Sequence, residues 1–148
     1  MSTLVHNKKA GLNYELLERY EAGASLLGTE VKSLRSKQGK LDGAHVVIRG
    51  GEAFLVGASI PAFQKANAPE DYEPERTRKL LLSQKELTKL HKESEHQGLT
   101  IVPISWYNSG QNIKLEIALA RGKKNYDKRE ALKARDQKRD LERTLKYF

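Results

Sequence analysis

The stretch TIVPISWYNSGQNIKLEIALA, residues 100–120, decides the fold because it contains two adjacent runs with strand character. Thr100–Tyr107 is rich in β-branched and aromatic residues, which favour strands. Asn112–Ala120 places apolar residues at every second position, the period of a strand with one buried face. The turn residues Asn108-Ser109-Gly110 lie between the runs and predict an antiparallel hairpin.

Further strands are predicted upstream, where short apolar and aromatic runs are bounded by turn residues. These strands are Tyr14–Tyr20, Ala22–Leu27, His45–Arg49 and Glu52–Ser59. Gly50-Gly51 separates the last two, and a glycine pair is typical of a tight hairpin turn. The segment Pro61–Pro74 has little periodicity and is predicted to be a loop.

Two helices are predicted between the strands. Thr29 is placed to cap a short helix that runs through Leu34. Ser83 and Glu86 have the spacing of a capping box at the start of a second helix, which Gly98 can end. Five or six antiparallel strands with an inserted helix predict a mainly β fold with added helices, in the form of an OB-fold-like closed antiparallel β-barrel.

The charge is concentrated towards the C-terminus. Residues 121–148 hold 11 of the 27 Lys and Arg residues and 5 of the 19 Asp and Glu residues. This leaves 16 basic and 14 acidic residues in residues 1–120. This contrast predicts a nearly neutral barrel, residues 1–121, and a strongly basic tail, residues 122–148. The tail consists mainly of helix formers but has a thin apolar stripe. We expect it to be disordered when free and helical on a partner.

The composition limits the classes of site. A net charge of +8 favours a polyanionic partner. The chain has no cysteine, which excludes disulfides, thiolate metal sites and cysteine nucleophiles. No apolar run approaches the roughly 20 residues that span a bilayer, and Met1–Gly11 lacks the apolar stretch of a signal peptide. We therefore expect a soluble, cytoplasmic protein that does not bind a membrane.

Motifs for catalysis are missing from the sequence. His91 and His96 are five positions apart, whereas a zinc-binding helix uses a spacing of four. The sequence has no G-x-S-x-G motif, no P-loop, no Rossmann glycine pattern and no Gly-Gly-Gln loop. We therefore expect no cofactor, no metal site and no enzymatic activity.

Three segments stand out: GTEVKSLR at 28–35, RTRKLLL at 76–82 and GKKNYDKR at 122–129. In this order and at this spacing they resemble the SmpB family. Asn7-Lys8-Lys9-Ala10 is similar to the family's N-terminal motif as well. The resemblance runs from about Asn7 to the C-terminus, and three segments in order make it highly specific.

The resemblance implies a function in rescuing stalled bacterial ribosomes. The barrel would bind the tRNA-like domain of transfer-messenger RNA (tmRNA, or SsrA) and stand in place of an anticodon arm. The tail would contact small-subunit rRNA in the decoding centre and the empty mRNA channel of the ribosome. Alanyl-tRNA synthetase and elongation factor Tu would be reached indirectly, through tmRNA. The protein itself is expected to be a monomer.

The resemblance also assigns residues to a tmRNA-binding face. Its lysines would neutralise phosphates, Tyr14 would stack on an unpaired base, and Leu81 would pack against one. Glu30 is unusual, because a carboxylate repels RNA. It would accept a hydrogen bond from a base or a ribose, or orient a neighbouring Arg, or simply favour the helix N-terminus. The assigned residues are Asn7, Lys8, Lys9, Tyr14, Glu30, Arg35, Leu81, Lys114, Lys123 and Lys124.

A second set of residues would bind the ribosome. An aromatic ring at Tyr126 would stack on a ribosomal base, and the basic side chains that follow would line a helix against rRNA phosphates. Leu145 matches a position at which the family has an apolar residue. The set is Tyr126, Asp127, Lys128, Arg129, Lys133, Arg135, Lys138, Arg139, Arg143 and Leu145.

The chain departs from the family at Gly11-Leu12-Asn13, where the motif usually continues with Arg, His and an acidic residue. This departure removes two expected RNA contacts, so Asn7–Lys9 would have to contribute more. Alternatives to tmRNA binding are a general OB module for tRNA or single-stranded RNA, a hydrolytic rescue enzyme and a protein–protein interaction module. The missing catalytic motifs argue against the enzyme, and the three segments argue against the general module.

Overall fold

The computed structural model describes residues 2–63 and 71–123, and in these ranges the chain is mainly β. The strands are β1 Ser2–His6, β2 Tyr14–Ala24, β3 His45–Arg49, β4 Glu52–Val56, β5 Arg78–Leu81, β6 Thr100–Ser109 and β7 Asn112–Gly122. The helices are α1 Ala10–Asn13, α2 Gly28–Arg35 and α3 Gln84–Gln97. Among the described residues, none of the helices combines the length and apolar character that crossing a membrane requires.

The strands form one sheet in which every pairing is antiparallel. Its order is β1-β6-β3-β4-β5-β2-β7, and β6 also pairs with β7. Following the pairings from β6 through β3, β4, β5, β2 and β7 therefore leads back to β6. The contact between β3 and β6 is a single residue pair, Val46 with Ile101, whereas β6 and β7 pair along almost their whole length.

The hairpin of β6 and β7 forms the centre of the core, as its sequence predicts. Ile113, Leu115, Ile117 and Leu119 of β7 are all buried, and the half-buried Lys114 and Glu116 alternate with them. In β6 the residues from Ile101 to Tyr107 are buried without interruption, and Trp106 is fully enclosed. Burying each such side chain stabilises the fold by about 1.5–3 kcal/mol.

Helix α3, which buries Leu87 and Leu90 in the core, begins and ends as predicted. The Glu86 amide donates to Ser83 Oγ at 3.2 Å, and the Ser83 amide donates to Glu86 Oε1 at 3.4 Å. Gly98 ends α3 in the left-handed conformation, at φ 63°. The Gly50-Gly51 turn is also confirmed, with both glycines at positive φ and Arg49 paired with Glu52.

The structure corrects the prediction of two strands before α2. Tyr14–Ala24 is one strand with a bulge between Leu16 and Glu18. Gly23 does not interrupt it. An added Cβ there would lie 3.3 Å from the Cβ of Leu81, so this glycine allows β2 and β5 to approach closely.

Two boundaries and two strands also differ from the predictions. Helix α2 is capped at Leu27 and not at Thr29, because the Glu30 carboxylate accepts from the Leu27 amide at 2.8 Å. The last hairpin turns at Gly110 and Gln111, so that Asn108 and Ser109 belong to β6. Strands β1 and β5 were not predicted, since both are short and neither alternates clearly. The described ends of the predicted 61–74 loop contain no helix or strand.

Candidate nucleic-acid interface

Three residues of the predicted tmRNA-binding set meet at one groove. Arg35 of α2, Leu81 of β5 and Lys114 of β7 all line an open groove of about 380 Å³. The sheet register brings them together, because Gly23 pairs with Leu81 and the neighbouring Ala22 pairs with Leu115. We call this surface the Arg35–Leu81–Lys114 groove.

The groove combines an apolar side chain with two cations. Leu81 is 53% exposed, so its apolar side chain is accessible to a ligand in the groove. Arg35 is exposed, and its Nη2 donates to the Gln111 carbonyl at 2.7 Å. That bond fixes the guanidinium beside the β6–β7 turn and leaves other N–H donors directed to solvent. A surface with these groups can neutralise phosphate and pack against an unstacked base.

Glu30 lies on the same helix as Arg35, next to Val31, which lines the groove, and is itself fully buried. Its Oε2 accepts from Arg78 Nη2 at 2.6 Å, from Arg78 Nε and Arg76 Nε at 3.0 Å each, and from the Tyr72 hydroxyl at 3.1 Å. Its Oε1 accepts from Arg76 Nη2 and the Leu27 amide. Both oxygens are thus occupied by the protein. Of the roles considered for Glu30, this geometry fits two: Glu30 orients neighbouring arginines, and it stabilises the N-terminus of α2 by accepting from the Leu27 amide.

Glu30, Tyr72, Arg76 and Arg78 form a largely buried cluster, and its hydrogen bonds stabilise the negative charge of the Glu30 carboxylate. Burial raises the pKa of the Glu30 carboxyl, but donors from Arg76, the Leu27 amide and Arg78 lower it further than burial raises it. The net pKa of Glu30 lies below its ordinary value, so the carboxylate is ionised at neutral pH. Arg78 is fully buried with it, whereas the Arg76 side chain is 29% exposed. Arg76 is therefore the arginine of this cluster that both binds the buried Glu30 and is partly accessible to solvent.

Tyr72, Arg76 and Arg78 are residues that the sequence analysis did not assign to any site. The two arginines lie in the second segment, RTRKLLL, so their place in this motif was the sequence signal that could have marked them as functional residues. They are 46 and 48 positions from Glu30. No local pattern predicts that both bind the same carboxylate.

A second group of predicted residues surrounds helix α1. Lys8 and Lys9 are exposed at its start, and Tyr14 is half-buried at its end. Lys123 joins them from the end of β7, because its Nζ donates to the Gly11 carbonyl at 2.8 Å and its amide donates to the Asn13 carbonyl at 2.9 Å. We call these four residues the N-terminal cluster.

Asn7 lies under the N-terminal cluster and is 5% exposed. Its backbone amide donates to the Ile104 carbonyl at 2.7 Å, and its Nδ2 donates to the Pro103 carbonyl at 2.9 Å. Its Oδ1 is buried without a hydrogen-bond partner among the described residues. Such an acceptor costs about 1–3 kcal/mol when nothing donates to it.

The groove and the N-terminal cluster lie at opposite ends of β2. Tyr14 begins this strand, and Gly23, which pairs with Leu81, lies nine residues later. At about 3.3 Å per residue the two ends are at most roughly 30 Å apart, because the bulge between Leu16 and Glu18 bends the strand. The predicted tmRNA-binding residues therefore form two surfaces along one strand. A ligand that contacts both must be as long as several nucleotides.

The remaining predicted residues lie outside the part of the chain that the structure describes. They are Lys124, Tyr126, Asp127, Lys128, Arg129, Lys133, Arg135, Lys138, Arg139, Arg143 and Leu145. Within residues 2–63 and 71–123, no group of three or more His, Asp or Glu side chains is arranged to hold a metal ion.

Comparison with known proteins identifies the family. The family model described as SmpB protein matches residues 4–147. An SsrA-binding protein of Gloeobacter violaceus is 48% identical, with 97% of this chain and 93% of that protein covered. The SsrA-binding protein of Trichodesmium erythraeum is 46% identical, with 96% and 91% covered. The SsrA-binding protein of Mesoplasma florum is 48% identical, with 95% of each chain covered.

A solved structure agrees with the sequence comparisons. It is described as "tmRNA-SmpB: a journey to the center of the bacterial ribosome" and matches with a TM-score of 0.70 and 38% identity. The match covers 88% of this chain and 95% of that one. On the family model, the near full-length relatives and this fold, the chain belongs to the SmpB protein family.

Proposed function

We propose that the chain binds the tRNA-like domain of tmRNA and delivers it to stalled ribosomes for trans-translation. The observation that carries the proposal is the Arg35–Leu81–Lys114 groove. These three residues are far apart in the sequence, the resemblance assigned them to one RNA-binding face, and the fold brings them to one surface. Membership of a family whose relatives are SsrA-binding proteins supports the same function.

Within this proposal Glu30 acts indirectly. It holds Arg76 and Arg78 in place and does not contact RNA through its carboxylate. Arg76 also donates to the Ser25 carbonyl at 3.2 Å, which ties the end of β2 to the segment before β5. Ala24 and Leu26, the neighbours of Ser25, line the groove, and we propose that this bond helps to fix the shape of the groove before RNA binds.

We infer that the closed ring of strand pairings is an OB-like barrel, residues 1–121, and that residues 122–148 form a basic tail with a separate role. The barrel binds tmRNA in place of an anticodon arm. The tail contacts small-subunit rRNA in the decoding centre and the mRNA channel. This division makes the protein a binding and delivery factor without catalysis, and it acts in the cytoplasm, where ribosomes translate.

The test is binding of the full-length chain to a transcript of the tRNA-like domain at fixed salt. Leu81→Ala removes a surface that packs against a base and should weaken binding about tenfold. Lys114→Ala should weaken binding and lower the dependence of log affinity on log salt by about one. Both side chains are accessible, so neither substitution removes a core contact.

Matched controls separate the groove from the general surface. Leu17 is another exposed leucine, at 42%, and lies on β2 outside the groove, while Lys92 is an exposed cation on α3. Leu17→Ala and Lys92→Ala should leave the affinity within about twofold. The proposal fails if the groove variants bind as well as the controls, or if the intact chain does not bind the transcript.

A further inference from the structure

Helix α2 ends in a group of exposed cations. Residues 32–40 contain four of the 16 Lys and Arg residues of residues 1–120 and no acidic residue. Without these four, the acidic residues of residues 1–120 would outnumber the basic ones. We call this group the α2 basic patch, and its members are Lys32, Arg35, Lys37 and Lys40, all of them exposed.

The α2 basic patch is not neutralised by the described part of the fold. Within residues 2–63 and 71–123, none of its four side chains forms an ion pair, whereas several cations of other segments do. Those paired cations are Arg19, Arg76, Arg78, Lys79, Lys89 and Arg121. Exposed cations that are grouped without counter-charges create a positive potential, which attracts a polyanion.

Lys37 occupies a backbone position that favours glycine. Its φ is 60°, and among the residues that the structure describes it is the only non-glycine residue with a positive φ. It follows the C-cap of α2, Ser36, and its amide donates to the Leu34 carbonyl at 2.8 Å. The Gln38 amide donates to the Ser33 carbonyl at 3.0 Å. These two bonds define a helix end at which glycine is the usual residue, so a lysine here strains the backbone.

The described part of the fold does not use the Lys37 side chain. The side chain is exposed and forms no hydrogen bond or ion pair with another described residue. The last carbonyls of α2 accept from backbone amides, so they do not need its ammonium group. Lys32 and Arg35 already place positive charge in the last turn, where the helix dipole favours it. A strained residue whose side chain the fold does not use indicates a function in binding.

We propose that the α2 basic patch, with Lys37 at its end, binds the phosphate backbone of the RNA that occupies the Arg35–Leu81–Lys114 groove. This inference rests on the proposed function. Arg35 belongs to both surfaces, because it lines the groove and lies two positions before Lys37. The groove offers an apolar side chain to a base, whereas the patch offers cations alone, which bind phosphates without reading sequence. The patch therefore adds affinity and salt dependence, and no base selectivity.

The test compares two substitutions of Lys37 in the full-length chain. Lys37→Gly removes both the charge and the backbone strain, whereas Lys37→Ala removes the charge alone, because alanine is also strained at this φ. Both should weaken binding of the tRNA-like transcript about five- to tenfold at about 0.1 M salt, and both should lower the dependence of log affinity on log salt by about one. Only Lys37→Gly should raise the urea midpoint of unfolding.

Lys92→Ala is the matched control, since it removes an exposed cation of α3 and should leave the affinity within about twofold. Affinity and salt dependence that stay at the wild-type level in Lys37→Gly would overturn the proposal. A loss of affinity in Lys37→Gly but not in Lys37→Ala would also overturn it, because the backbone and not the charge would be the cause. A lower urea midpoint in Lys37→Gly would show that the lysine serves the fold, which contradicts the proposal as well.

The same titrations separate this proposal from the proposed function. If the intact chain binds the transcript and the Lys37 variants bind it equally well, the assignment of the α2 basic patch alone is refuted. If the intact chain does not bind the transcript, the proposed function is refuted, and this inference is refuted with it.

Discussion

Glu30 shows most clearly how a single residue acts in this protein. The resemblance placed it on an RNA-binding face, where a carboxylate is unexpected, and the structure shows both of its oxygens bonded to protein donors. Glu30 therefore contributes to the fold, because it orders Arg76 and Arg78 and accepts from the Leu27 amide at the start of α2. The sequence analysis included the orientation of a neighbouring Arg among the possible roles of Glu30. It could not identify Arg76 and Arg78 as the partners, because they lie more than 40 positions away in the sequence.

Glu30→Gln should destabilise the fold by about 3–5 kcal/mol. The substitution keeps the side-chain volume but leaves the buried Arg78 and the partly buried Arg76 without a counter-charge. Urea denaturation of both proteins measures the difference. Glu52→Gln is the control, because Glu52 pairs with Lys79 at 3.0 Å on the surface, where an ion pair contributes at most about 1 kcal/mol. Equal stabilities of the Glu30 and Glu52 variants would contradict the account.

The same residue predicts how stability depends on pH. The pKa of Glu30 is lowered in the folded protein, so the unfolded chain binds more protons, and stability rises with pH over this range. The contribution is fully present above the ordinary carboxyl value of 4.5 and is lost as pH falls through the lower, folded value. The difference in unfolding free energy between wild type and Glu30→Gln should therefore narrow below pH 4.5. A constant difference down to the acid limit would argue against an ionised Glu30.

Among the elements, those with local signals were predictable. The capping box and terminal glycine of α3, the Gly50-Gly51 turn and the alternation in β7 each depend on residues a few positions apart. Strand β5 was missed because it is four residues long and begins with the buried Arg78, whose burial depends on the distant Glu30. Strand β1 was missed because Val5 and His6 continue no clear alternation and because its partner strand, β6, is distant in the sequence.

Helix α3 offers a test at this scale. Ser83→Ala removes the acceptor for the Glu86 amide and should cost about 1 kcal/mol of stability. The helix lies outside the groove and the N-terminal cluster, so binding of the tRNA-like transcript should not change at a temperature where the variant is folded. Thermal denaturation and binding measured on one preparation give both results. A loss of affinity in folded protein would mean that α3 takes part in RNA binding.

For the whole molecule, the fold explains how residues from three distant segments come to one surface. The resemblance placed Arg35, Leu81 and Lys114 on one face together with seven other residues. The sheet register is the physical reason that Leu81 and Lys114 lie close together. The separation of the groove from the N-terminal cluster was not predictable, since it depends on Tyr14–Ala24 being one continuous strand. Two surfaces along one strand suit an extended, folded RNA better than a small ligand.

The central claim is that residues 1–121 bind tmRNA and that the basic residues beyond them act on the ribosome. The most direct measurement compares the full-length chain with a chain that ends after Tyr126. It records binding of tmRNA at fixed salt and transfer of nascent peptide onto alanyl-tmRNA on ribosomes stalled at an mRNA end. We predict that the truncated chain binds tmRNA nearly as well as the full-length chain and supports no transfer. Transfer at the full-length rate, or loss of tmRNA binding on truncation, would contradict the claim.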